Sequence, residues 1–392
     1  MSMQIPYGRQ SVSEEDVQAV AAVLRSDYLT QGPTVEEFER ALCAQTGAAY
    51  CVAVANGTAA LHLAVAALEL PPGSAGLTSP ITFAASANCM AYCGCVPRFA
   101  DIDEETFCLS PRAVEKELAS ETRLLVPVHF AGRTCDMPAL AALARPRGLR
   151  IIEDAAHAIG SEYPGGGRVG DCRHADLTIF SFHPVKTITT GEGGAVTTND
   201  PKLYERLKLL RSHGITKDAG RLSRNPGPWY YEMQALGFNY RLTDLQAALG
   251  LSQLKRLGAF KSRRLEIVRA YNRAFRDLPW LKIPCERDED RFCYHLYVAR
   301  LDWTALGRTR AEAMAELRAR NVLTQVHYIP VHLQPFYRTT YGTREGQFPA
   351  AEAFYEQAFS LPLYPAMSDE DVARVVAAVR ALKNGAGRGE NQ

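Results

Sequence analysis

Over its first 250 residues the chain alternates short β-rich apolar runs with amphipathic helical stretches. That alternation predicts an α/β layer fold around a largely parallel sheet. The expected strands are Tyr50–Ala55, Leu124–His129, Arg150–Glu153, Leu177–Phe182 and Gly194–Thr198. Ser13 with Asp16, and Ser368 with Asp371, are capping pairs that start helices near the two ends. At 392 residues the chain exceeds what one core usually supports. A large domain over 1–250, a smaller C-terminal α+β domain over 251–382 and a disordered glycine-rich tail, Lys383–Gln392, are expected. Residues Thr216–Gly237, with Pro226, Pro228, Trp229, Tyr230 and Tyr231, form a connection too long for a turn.

Charge narrows the function. Lysine plus arginine number 44 and aspartate plus glutamate 43, so no net field attracts nucleic acid or an anionic membrane. Any anion needs a local site. Met1–Tyr7 lacks the features of a secretory signal and no apolar run reaches spanning length, so a cytoplasmic protein is expected. Ten cysteines are too sparse for a disulfide scaffold. Cys89, Cys93 and Cys95 have no second ligand pair at finger-like spacing and read as packing, not metal ligands.

Three strand ends carry chemistry. Tyr50–Ala55 runs through Asn56-Gly57-Thr58 into a helix over Ala59–Leu70, and a glycine turn opening a helix offers free N–H groups to a phosphate. A plain turn with Thr58 as cap is the competing reading. Arg150–Glu153 ends in Asp154, at the strand end where open α/β sheets hold ligands, although Glu153 and Asp154 could be a solvated pair. Leu177–Phe182 leads to Lys186; a lysine just past a buried strand is poorly solvated, and its neutral amine can form a Schiff base. An exposed loop lysine is the bland alternative. Together the cradle, the acid and the amine match the needs of pyridoxal 5′-phosphate: a place for its phosphate, a partner for its ring nitrogen and an amine for its aldehyde. The string Gly165–Gly170 fits a dinucleotide fingerprint but follows no hydrophobic strand and opens no helix, so it is read as a turn.

With these residues placed, the chain resembles the DegT/DnrJ/EryC1/StrS family of sugar-nucleotide aminotransferases, which have the fold-type I architecture. The likeness runs from Ile5-Pro6-Tyr7-Gly8 to Leu361-Pro362-Leu363-Tyr364-Pro365 and includes Leu29-Thr30-Gln31-Gly32, Asn56-Gly57-Thr58, Glu153-Asp154-Ala155-Ala156-His157, Ser181-Phe182-His183 with Lys186, and Asn239-Tyr240-Arg241-Leu242-Thr243-Asp244. The resemblance implies a Schiff base at Lys186, Asp154 on the pyridinium nitrogen, and Gly57, Thr58 and Ser181 on the phosphate. It further implies Phe83 stacked on the ring, and Asn239 reaching the phosphate of a neighbouring subunit in a homodimer with shared sites. His157, where many relatives have glutamine, would lie near the ring hydroxyl. His157, His183 and Gln325-Val326-His327-Tyr328 resemble a subgroup of pseudaminic acid biosynthesis. Its reaction moves the amino group of L-glutamate to C4 of a UDP-linked 4-keto sugar. By that likeness Tyr7, Thr30, Gln325, His327 and Tyr328 contact the sugar. An enzyme of UDP-4-keto-arabinose shares several of these motifs. A sugar dehydratase of the same fold would have replaced the Schiff-base lysine, and Lys186 is present.

Overall fold

The computed structural model describes residues 4–383; all of the predicted tail beyond Lys383 lies outside them. A seven-stranded sheet is built from β1 (Tyr50–Val54), β2 (Ala75–Thr78), β3 (Val96–Phe99), β4 (Thr122–Val126), β5 (Arg150–Asp154), β6 (Leu177–Ser181) and β7 (Gly194–Thr198) in the order β1-β7-β6-β5-β4-β2-β3. β7 alone runs against the rest, wedged between β1 and β6. All five predicted strands are found, each within three residues of its expected ends; β4 ends at Val126, three residues before the expected His129, and β5 extends one residue further to take in Asp154. β2 and β3 escaped the sequence reading. At four residues each, with Gly76 in one and Pro97 in the other, they carry little periodic signal.

Helices start where side chains can accept the first N–H groups. Ser13 and Ser368 stand in capping boxes before α1 (Glu14–Leu24) and the helix Asp369–Arg380. α2 (Pro33–Thr46) has its cap supplied from far along the chain: the Asp244 carboxylate accepts the N–H groups of Gly32 and Thr34 at 2.8 and 3.0 Å. Two separate sequence motifs, Leu29–Gly32 and Asn239–Asp244, are thereby one structural joint. The Gly165–Gly170 stretch is a turn closed by a bridge between Glu162 and Arg168, as its flanks implied.

Apolar side chains gather in two cores. The first surrounds the large sheet. The second is built on β10 (Leu281–Lys282), β11 (Tyr297–Leu301) and β12 (Ala358–Leu361), an antiparallel sheet reached after the two-residue strands β8 (Ile215–Thr216) and β9 (Glu232–Met233), which pair antiparallel at the base of a long connection. The chain passes between the cores more than once. Ile5 packs in the second core, while Val331, Tyr337, Phe348 and Phe354 return to the first. Val331 N–H donates to the Pro80 carbonyl at 2.9 Å, and the Tyr337 hydroxyl donates to Asn88 at 2.7 Å. These ties hold the segment Gln325–Tyr328 against the end of the large sheet where the chemistry gathers.

Candidate active site

The turn after β1 is shaped for an anion. The helix α3 (Gly57–Ala67) begins two residues earlier than predicted, and its cap is Asn56, not Thr58: Asn56 Oδ1 accepts the Ala59 N–H at 2.8 Å. Asn56 thus serves the third residue of the helix and leaves the N–H groups of Gly57 and Thr58 at the open end. Thr58 itself is exposed. A Cβ on Gly57 would lie 2.8 Å from the Ser181 Cβ, so only glycine lets this turn close onto the end of β6. Gly194 repeats the constraint from the other side, since a Cβ there would meet the Asn56 carbonyl oxygen at 2.5 Å. The result is a cradle of unpaired N–H groups and the Ser181 hydroxyl at a helix N-terminus, suited to a phosphate.

At the end of β5, Asp154 is 4% exposed and is no solvated pair with Glu153. Its Oδ2 accepts the Ser86 hydroxyl at 2.6 Å and its Oδ1 the Ala156 N–H at 3.1 Å. Thr82 stands 2.6 Å from Ser86, so a line of hydroxyls leads into the carboxylate. The Asp154 backbone is pinned to the neighbouring strand: its N–H donates to Pro127 at 2.8 Å and its carbonyl accepts the His129 N–H at 3.0 Å. Behind it, fully buried Glu153 accepts His129 Nε2 at 2.7 Å and the Tyr163 hydroxyl at 2.5 Å. Cys135 N–H donates to His129 Nδ1 at 3.1 Å, which puts the proton of a neutral ring on Nε2, toward Glu153. Two adjacent carboxylates therefore divide their work across the strand. Glu153 ties β5 to the segments that carry His129 and Tyr163, and Asp154 faces the site.

Lys186 completes the set. Burial pulls its ammonium down from 10.5 to about 8, against a smaller upward pull from Asp154. A free amine is therefore present at neutral pH in a useful fraction.

The sequence model of the DegT/DnrJ/EryC1/StrS aminotransferase family matches residues 10–380. The spore coat polysaccharide biosynthesis protein SpsC of Bacillus subtilis is 43% identical over 385 residues, covering 97% of this chain and 98% of that protein. Among solved structures, Helicobacter pylori PseC, an aminotransferase involved in the biosynthesis of pseudoaminic acid, superposes with a TM-score of 0.90 at 32% identity, covering 97% of this chain and 99% of its own. The PLP-form of the putative sugar aminotransferase Spr1654 from Streptococcus pneumoniae gives 0.88 at 29% identity, with coverage of 97% and 99%. The chain belongs to the DegT/DnrJ/EryC1/StrS aminotransferase family. It is a pyridoxal phosphate enzyme, and the donor set fits that cofactor: an anion cradle that a Cβ at Gly57 would fill, a buried carboxylate and an amine with a depressed pKa.

In this family member the remaining predicted residues fall into three groups. Around the strand ends lie Phe83, 63% exposed and so free to cover a bound group, whose carbonyl accepts the Ser86 hydroxyl that also meets Asp154, and His157. From the segment Gln325–Tyr328 come Tyr328, which packs against the first core and whose hydroxyl meets His157 Nε2 at 3.1 Å, and His327, whose Nδ1 meets the Ser360 hydroxyl at 2.8 Å. Tyr7 packs on His327 at 5.5 Å between ring centroids, and exposed Gln325 is held by a backbone bridge to Ser360. Burial pushes His327 down to about 4, so it meets a substrate as a neutral ring. Thr30 and Asn239 stand apart from that group. Thr30 bridges to Thr243 and Asn239 to Ser212, both exposed, and no hydrogen bond or ring contact among the described residues joins either to Lys186.

Three participants escaped the sequence reading. Ser86 lies only three residues past Phe83, but nothing local aims it at Asp154. His295 lies under His157 with ring centroids 4.4 Å apart, and its Nδ1 has no protein partner. Burial and the neighbouring basic groups hold both rings well below the usual histidine range. His129 was merely the last residue of a predicted strand. No metal-binding cluster of histidine, cysteine or acid side chains occurs among the described residues, and none of their helices is long and apolar enough to cross a membrane.

Proposed function

We propose that this protein transfers the amino group of L-glutamate to the C4 keto group of a UDP-linked 4-keto-6-deoxy-N-acetylhexosamine, giving UDP-4-amino-4,6-dideoxy-N-acetyl-β-L-altrosamine. The observation that carries the reading is the junction of His157 with Tyr328, in which the subgroup-like histidine and the subgroup-like Gln325–Tyr328 segment meet in one site. The likeness to PseC supports it.

When bound, the cofactor supplies an aldehyde that takes up amines and a ring that accepts electrons from the reacting carbon. The chain supplies the rest. Gly57, Thr58 and Ser181 bind the phosphate, and Phe83 covers the ring face. Asp154, held in place by the Ser86 hydroxyl and the Ala156 N–H, would pair with the ring nitrogen and keep a proton there. Lys186 Nζ takes and returns the proton that moves between substrate and cofactor, which its pKa of about 8 allows near neutral pH. Tyr7, Thr30, Gln325, His327 and Tyr328 select the sugar.

The working unit in this reading is a cytoplasmic homodimer in which Asn239 of the partner subunit serves the phosphate. Supporting this, the segment leading to Asn239 bears Trp229, Met233 and Leu236 at 69, 65 and 81% exposure, an apolar face that a second copy would cover. A second reading, amination of a different nucleotide keto sugar, is favoured by the higher identity to SpsC, 43% against 32% for PseC.

The test is an assay of the purified protein with glutamate against UDP- and dTDP-linked keto sugars, hexose and pentose. Turnover chiefly of the UDP-4-keto-6-deoxy-N-acetylhexosamine supports the first reading; preference for another sugar establishes the second. His327→Ala should raise KM for the keto sugar and spare the glutamate half-reaction.

A further inference from the structure

His157 is engaged at both ring nitrogens. Its Nδ1 accepts the Ala131 N–H at 3.4 Å, and its Nε2 faces the Tyr328 hydroxyl at 3.1 Å. A neutral imidazole carries one N–H; with Nδ1 accepting, that hydrogen sits on Nε2. Nε2 therefore donates, the Tyr328 oxygen accepts, and the phenol's own hydrogen points away from His157. Burial and the charge of Asp154 raise the Tyr328 pKa above the ordinary phenol value, so that hydrogen is retained at every working pH.

The surroundings of Tyr328 say where its hydrogen can go. Its ring lies against Phe83 and Phe130, each at 6.4 Å between centroids, and against His327 at 4.8 Å. Phe83, which packs on it, and Asp154, whose charge acts on it, are the residues assigned to the face and the nitrogen of the cofactor ring. His157, the residue that the family likeness sets near the ring hydroxyl, has already committed its one N–H to Tyr328. We infer that Tyr328, oriented by His157, donates the hydrogen bond to the ring oxygen of bound pyridoxal phosphate, with His157 acting as a positioning residue. The inference rests on the cofactor assignment and goes beyond it: one residue of the Gln325–Tyr328 segment answers to the cofactor, tying the sugar-selecting segment to the cofactor's protonation.

The experiment is a pH titration of the holoenzyme's visible absorbance, which follows the proton shared between the Lys186 nitrogen and the ring oxygen. A donor to that oxygen stabilises the form without the proton and holds the midpoint down. The other titratable groups facing the site are Asp154, Tyr7, His295 and His327, all left in place. Tyr328→Phe should raise the midpoint by about one pH unit, the ~1.4 kcal/mol scale of one hydrogen bond to a charged group. His157→Ala should raise it by less, since the phenol keeps its hydrogen and loses only its orientation. A shifted midpoint in His157→Ala with an unchanged one in Tyr328→Phe would show that His157 touches the cofactor itself, and unchanged midpoints in both would equally overturn the proposal. If Tyr328→Phe could not be loaded with cofactor, His157→Ala carries the test alone, and a wild-type midpoint there counts against it. Failure of the cofactor assignment would look different: the wild-type protein would show no visible band to titrate.

Discussion

Lys186 should make the apo-protein less stable, and its replacement should therefore stabilise it. Lowering the ammonium from 10.5 to about 8 means that the folded state disfavours the charged form. At ~1.4 kcal/mol per pH unit the cost is about 3 kcal/mol when both states are protonated. The sign follows from proton counts. Below pH 8 the folded and unfolded chains both hold the proton and the full penalty applies. Between about 8 and 10.5 the unfolded chain holds it and the folded chain does not, so stability rises with pH; above 10.5 the penalty is gone. Lys186→Met keeps the volume and removes the charge. Urea titrations of the two cofactor-free proteins should show the variant more stable by about 3 kcal/mol at pH 7, with the difference closing as pH approaches 10.5. A difference that is absent at pH 7, or that does not change with pH, would refute the claim that Lys186 is poised by desolvation.

Gly57→Ala should weaken cofactor binding about tenfold or more, measured as the dissociation constant of pyridoxal phosphate, because overpacking against Ser181 costs about 1–3 kcal/mol. Asp154→Asn should still load cofactor but lose turnover on the order of 100-fold, the scale of removing one preorganised electrostatic partner; near-normal kcat in a folded variant would deny its role. Tyr163→Phe should cost about 1–3 kcal/mol of unfolding free energy, since it strips one of two donors from a buried carboxylate. Mixing inactive Lys186→Ala with inactive Asn239→Ala under verified subunit exchange should return about a quarter of wild-type sites if the site is shared across a two-fold dimer. No recovery would place Asn239 in service of its own chain.

What could be read from the residues was what short stretches of chain settle among themselves. β5 and β6 announce themselves as apolar runs; Asp154 directly follows the first and Lys186 lies a few residues past the second, so both could be placed near strand ends without knowing any long-range contact. The glycine turn at Gly57 was legible for the same reason, and the capping pairs at Ser13 and Ser368 act within four residues. The reason for Gly57 was not legible, because the atom it must avoid belongs to Ser181, more than a hundred positions away.

Tertiary structure decided everything that depends on two distant segments meeting. The reversed direction of β7, the hydroxyl of Ser86 on Asp154, the His129–Glu153–Tyr163 lock and the tilted His157–His295 ring contact each join residues whose separation carries no periodic trace. The same holds for Tyr328. The likeness to the family subgroup suggested a sugar contact for it, and only the return of Val331–Phe354 to the first core presses it onto His157. Local chemistry named the reactive groups because a side chain's type travels with its sequence; orientation and pKa came from the fold, because burial and hydrogen-bond partners are properties of neighbours in space.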